Sequence, residues 1–178
     1  MSQSVFSWTS VDPRQSTLFN STWFGAAYRF VTESDGRGSN VTTLMRTGAR
    51  KEERVARYEW KPNGGLGRVI MGKQQISMLD LCRPDPADNY YSRMFPAPDG
   101  NLYRWRPHPN GDLLLYDHTG VVVAFYRTVR PVRTNIGDVH GELHFVEGAG
   151  SGTVMHPPFM NSVIVTCMLF RYCAMYNM

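Results

Sequence analysis

The stretch that most constrains this chain is its last apolar run, "VIVTCMLFRYCAMY" at residues 163–176, which holds helix-length apolar content without a turn residue. It follows "HPPFMNS", where Pro157 and Pro158 stop any preceding element and Asn161 or Ser162 can cap a helix, so a helix is expected at about residues 161–176. About fourteen residues rise roughly 21 Å as a helix, whereas a bilayer span needs about twenty apolar residues, and Arg171 interrupts the run. A transmembrane segment is therefore not expected. The β-branched Val163, Ile164, Val165 and Thr166 leave a terminal core strand open for the first half, and membrane contact is the remaining alternative. A helix apolar on nearly every side belongs at the centre of a fold, and that is the expectation carried forward.

Everything before that run has a different rhythm. "TWFGAAYRFVTE", "SDGRGSN" and "VTTLMRTG" read as strand, turn and strand. "RVARYEW" sets Ala56, Tyr58 and Trp60 on one strand face, and "GRVIMGKQQISMLDL" reads as two strands turning at Gly72 and Lys73. After an irregular Pro-rich loop at residues 83–98, "NLYRWRP", "LLLY", "VVVAFYRTV" and "GDVHGELHF" continue the pattern, with turns at "HPNGD" and "DHTG". About nine to eleven short strands at this spacing predict a mainly β sandwich or barrel.

Length supports one domain: a chain of 178 residues buries roughly two-thirds of the surface it exposes when unfolded. Hydrophobic content of 42% excludes disorder, because such a chain can offset the entropy of ordering. Residues 1–16 read as an extension ahead of a domain at 17–178. The N-terminus lacks a basic start followed by an apolar run, so an intracellular, cytoplasmic protein is expected. Cys82, Cys167 and Cys173 are an odd set without C-x-x-C spacing, which fits free thiols rather than a disulfide frame or zinc site. The Asn-x-Ser/Thr triplets at Asn20 and Asn40 then carry no meaning.

The residues "TTLMR" at 42–46, "YEW" at 58–60, "DGNLYRWR" at 99–106, "VVVAFY" at 121–126, "GELHFVEG" at 141–148 and "NSVIVTCML" at 161–169 carry a resemblance. The chain resembles a family of small proteins of unknown function from mushroom-forming fungi. Its layout is similar to that of tubby-like barrels, which include the tubby C-terminal domain, the LURP-one-related proteins and the phospholipid scramblases. That resemblance implies a single antiparallel β-barrel of short strands enclosing an apolar C-terminal helix. It also implies recognition of phosphoinositide head groups by exterior basic residues, although no particular basic pair here aligns with such a site. The calcium-binding segment and palmitoylated cysteine cluster of the scramblases have no counterpart. A shared fold does not establish function.

The net charge is +4, with sixteen Arg against three Lys. Arg forks match phosphate and carboxylate, so anionic partners stay open, although fifteen acids are mixed in along the chain. Arg104, Arg106, Arg127, Arg130 and Arg133 form the densest basic set, interleaved with Tyr103, Trp105 and Tyr126. The plainer reading has the aromatics inward and the arginines outward on ordinary strands. "HGELH" projects His140, Glu142 and His144 from one strand face, where two imidazoles can share a metal and a carboxylate can act as base. An ordinary polar strand face explains that spacing equally, and no metal or cofactor is expected. "NGGLG" and "GAGSG" lack the context of a phosphate loop, no G-x-S-x-G elbow is present, and Cys82 has no base partner in the sequence.

The leading expectation is a binding module, not an enzyme, taking anionic lipid head groups at a membrane surface or another anionic ligand through Arg104, Arg106, Arg127, Arg130 and Arg133. Nucleic acid is not expected as a partner. One alternative is a small enzyme or ligand-binding barrel with a pocket near residues 83–98 or a site at His140, Glu142 and His144. The other is a protein-interaction or defence protein without a small ligand.

Overall fold

The computed structural model of the chain describes residues 4–22, 25–89 and 91–178. Trp23 and Phe24, read above as part of a strand, and Tyr90 in the Pro-rich loop lie outside the described residues. The first seven strands are β1 (Val5–Trp8), β2 (Ser16–Asn20), β3 (Gly25–Ser34), β4 (Asn40–Thr47), β5 (Glu52–Glu59), β6 (Arg68–Met71) and β7 (Gln74–Ser77). A four-residue helix α1 (Met78–Leu81) leads to β8 (Arg83–Pro84), β9 (Arg93–Pro96), β10 (Leu102–Pro107), β11 (Leu113–Tyr116), β12 (Val122–Thr134) and β13 (Gly137–Phe145). The chain ends in α2 (Phe159–Tyr176).

The hairpins read from turn chemistry are present. β3 pairs β4, β6 pairs β7 through Gly72 at φ 59°, β10 pairs β11 and β11 pairs β12, all antiparallel. Residues 5–8, read as part of an extension, instead form β1, which pairs β2 on one side and β13 on the other. Phe6 and Trp8 explain why: they alternate inward and are fully buried.

The thirteen strands make one sheet in the order β7-β6-β5-β4-β3-β2-β1-β13-β12-β11-β10-β9-β8. The barrel expectation is corrected by this order, because β7 and β8 are its two ends and do not pair. The sheet is open. Local chemistry accounts for the opening. Ser77 accepts a hydrogen bond from the Leu79 amide at 3.2 Å and caps α1, so the chain leaves β7 as a helical turn rather than a hairpin. On the other side β8 has two residues, one of them Pro84, and Pro86 and Pro96 follow nearby, which removes the donors a closing strand needs.

The open sheet curls around α2. Tyr28 Oη donates to Asn161 at 2.9 Å, Trp105 Nε1 donates to Thr166 at 2.9 Å, and Tyr172 Oη donates to the carbonyl of Gly64 in the β5–β6 turn at 2.7 Å, so distant parts of the sheet and its turns reach the helix. α2 starts at Phe159, two residues before the expected start, and no side chain caps it. With 18 residues and a mean hydropathy of 1.3 it is long and apolar enough to cross a membrane, yet 61% of it is buried against the sheet. The buried inner face is one continuous core that joins every long strand to α2.

Candidate functional site

The outer face of β13 carries the His-Glu-His triplet. Val139, Gly141, Leu143 and Phe145 are buried, while His140, Glu142 and His144 alternate outward and are half-buried. His144 Nε2 meets Glu142 Oε2 at 2.9 Å and the ring stacks on Phe125 at 4.5 Å, leaving Nδ1 buried without a partner among the described residues. His140, on the same face, lines a cleft beside α2 and has no hydrogen bond to Glu142 or His144 among the described residues. No three His, Cys, Asp or Glu side chains among the described residues form a group that could hold a metal.

The five arginines sit in different settings. Arg127 is gripped by Asp112, with Nε–Oδ1 at 3.0 Å and Nη2–Oδ2 at 2.7 Å, a fork that holds the Asp112 carboxyl below the usual range. Arg104 meets Asp85 at 2.7 Å, and that carboxylate is only 4% exposed. Arg104 and Arg106 do share an outer cleft of about 540 Å³ with His118, but Asp117 lines it as well. Burial pushes the neighbouring Asp88 carboxyl up, yet hydrogen bonds from Ser92 and the field of Arg106 hold it low. Charge there is balanced. Arg130 and Arg133 stand exposed near the tip of the β12–β13 hairpin. The expectation of lipid or phosphoinositide head groups rested on the closed-barrel layout as well as on the arginines. The open sheet removes the first of these grounds.

A second cleft, about 590 Å³, lies where the sheet fails to close. Gln74 and Ile76 of β7, Pro96 at the end of β9, Ala97 and Pro98 after it, and Asn161 and Ser162 of α2 line it. It meets the end of the Pro-rich loop named above, but its walls are largely apolar and no charged side chain lines it.

Arg171 is the basic residue whose setting differs. It lies on α2, with its guanidinium carbon 4.8 Å from the Trp8 ring centroid and 4.4 Å from that of Tyr126. Nη2 donates to the Val11 carbonyl at 3.4 Å, whereas Nη1 is buried and finds no acceptor among the described residues; Trp8 Nε1, on the ring stacked against it, is likewise buried without one among them. Gly141 makes room for this arrangement, since a Cβ there would overlap the phenol of Tyr126. No carboxylate pairs with Arg171 among the described residues. Arg14 shows the contrast: it stacks over Trp60 and Tyr172 in the same way, but Asp12 neutralises it at 3.2 Å.

The Tyr126 phenol and the Cys167 thiol beside Arg171 stay protonated near pH 7. Burial pushes the Tyr126 phenol up to about 12 although Arg171 opposes the shift, and burial likewise raises the Cys167 thiol to about 12. Beside the guanidinium opens a cleft of about 430 Å³ between α2 and the β12–β13 hairpin. Its apolar walls are Val11, Leu113, Val129, Pro131, Ala174 and Met175, and Thr128 and His140 supply polar groups at its side. A register shift between Thr128 and Val132 opens the hairpin there. The sequence did carry a signal for this site, a single charge inside an apolar helix, but gave no means of locating its surroundings.

A family model described as a family of unknown function matches residues 11–171. Neither a curated protein nor a solved structure matches the chain.

Proposed function

The chain belongs to that family, DUF6593, which carries no activity to transfer, and we propose from its own geometry that it is a binding module for a small amphipathic molecule bearing one carboxylate. The observation that supports this reading is Arg171: a guanidinium fixed between two aromatic rings, without a carboxylate partner among the described residues, at the wall of an apolar cleft. A guanidinium without a carboxylate partner is costly to keep from water, and an entering carboxylate supplies that partner. The cleft volume of about 430 Å³ lies within the usual range for small-molecule sites, and its apolar walls suit the remainder of the ligand. Stacking on Trp8 and Tyr126 holds the guanidinium in place before binding, so little side-chain entropy is lost on recognition.

A graded set of phenylalkanoates and their uncharged amides, titrated by calorimetry, tests this reading. Charge-assisted hydrogen bonds contribute about 1.5–3 kcal/mol, so the acids are expected to bind about 10- to 100-fold more tightly than the amides. Arg171→Met should erase that preference, and Ala174→Trp should block binding by filling the cleft. Absence of binding by every acid, equal binding of acid and amide, or unchanged affinity in Ala174→Trp would each remove the proposal.

A further inference from the structure

Cys82 and Cys173 lie far apart in sequence and meet in space. Cys82 follows α1 at the open seam of the sheet, Cys173 lies on α2, and the Cys82 thiol donates to Cys173 Sγ at 3.8 Å. Both side chains are buried. Arg93 stands beside them, its Nη1 donating to the Cys82 carbonyl at 3.1 Å. The two thiols differ in acidity. Donating to Cys173, together with burial, pushes the Cys82 thiol up. Accepting that bond holds the Cys173 thiol below its ordinary value, despite burial and with support from the charge of Arg93. Cys167, also on α2, makes no thiol contact among the described residues, and burial raises it to about 12.

We propose that Cys82 and Cys173 are a modification site at which a hydroperoxide closes an intramolecular disulfide, fastening the seam of the sheet to the helix it surrounds. The oxidant must be small because both thiols are buried, and hydrogen peroxide meets that condition. The Cys173 thiolate attacks one peroxide oxygen and the O–O bond breaks. The departing hydroxide takes a proton and leaves as water, and Cys173 becomes a sulfenic acid. Cys82 then attacks that sulfur, the S–O bond breaks, and the hydroxide departs with the proton released by Cys82 as a second water. Two thiols and one peroxide give one disulfide and two waters; the sulfurs lose the two electrons that the peroxide oxygens gain. Access is easiest at this place because β7 and β8 share no ladder hydrogen bonds, so local opening costs least there.

The test uses the full chain with its natural cysteines. It is treated with hydrogen peroxide, quenched with catalase, unfolded in iodoacetamide and digested without reductant for mass spectrometry. The expected product is one peptide pair joined through Cys82 and Cys173, with Cys167 alkylated. Thermal unfolding of the oxidised protein should rise by about 5–10 °C and return to its starting value with dithiothreitol. Alkylated Cys82 and Cys173 after treatment, separate sulfinic acids at the two positions, or disulfides between chains would overturn the site. A linked protein with unchanged or lowered unfolding temperature would overturn the fastening. Cys167→Ser is expected to keep the linkage, and its loss in that variant counts against the pair.

Discussion

Trp105 donates its indole N–H to the Thr166 hydroxyl, which donates in turn to the Ser162 carbonyl at 2.9 Å, so one hydroxyl satisfies a strand residue while bonding back within the helix. Thr166→Val keeps the shape and removes the acceptor, leaving a buried indole N–H unpaired. The expected loss is about 1–3 kcal/mol of unfolding free energy, read from urea midpoints at unchanged slope. A loss within error would mean that water reaches Trp105. Half of this pair was legible in the sequence. The alternation of Tyr103 and Trp105 with Arg104 and Arg106 pointed the indole inward, and Tyr103 and Trp105 are indeed buried. Thr166 read only as a β-branched residue that kept a strand reading open, because pairing across such a separation leaves no local pattern. Arg171 was visible as an isolated charge in an apolar helix, which argues against a membrane span, but its setting was not, because the rings that hold it come from β1 and β12.

At the scale of elements, the hairpins were legible because each is written locally, as an alternating run, a Gly-containing turn and a second run. The helix was legible because no turn residue interrupts it. Its start was misplaced by two residues because the capping residues Asn161 and Ser162 are used otherwise: Asn161 accepts from Tyr28, and the Ser162 amide bonds to the Pro158 carbonyl. β1 was missed because four residues are too few for a periodic pattern to stand out, and its inward pair, Phe6 and Trp8, is recognisable only once β13 lies beside it. α2 contributes ten buried apolar residues, Phe159, Val163, Ile164, Val165, Cys167, Met168, Leu169, Phe170, Tyr172 and Cys173, to the core. At about 1.5–3 kcal/mol each their burial amounts to about 15–30 kcal/mol, more than the net stability of an ordinary domain. A chain ending before Phe159 is therefore expected to lose cooperative unfolding and to aggregate. A truncated protein that stays soluble with a sharp urea transition would show that the sheet stands without its helix.

For the whole molecule, closure was the feature sequence reading got wrong, and the cause is physical. A run of short antiparallel strands around one apolar helix has the same periodicity whether the last pair of edges meets or not. The information that decides it sits in one short segment, where Ser77 starts a helical turn and Pro84 and Pro86 withhold donors. The consequence is a gradient of protection across the sheet. β1 and β13 lie at its middle, paired on both sides and packed over Phe6, Trp8, Leu143 and Phe145. β7 and β8 are edges with one neighbour each. Amides in β1 and β13 that donate to neighbouring strands should exchange with deuterium only through global unfolding, whereas the amides of β7 and the Arg83 amide of β8 should exchange through local opening, faster by orders of magnitude at neutral pH. Peroxide treatment tightens this comparison, because a Cys82–Cys173 bond would slow exchange in α1 and β8 while leaving β1 unchanged. If β7 amides proved as protected as those of β1 in the reduced protein, the seam would have to be bridged in solution, and an open sheet would no longer describe the fold.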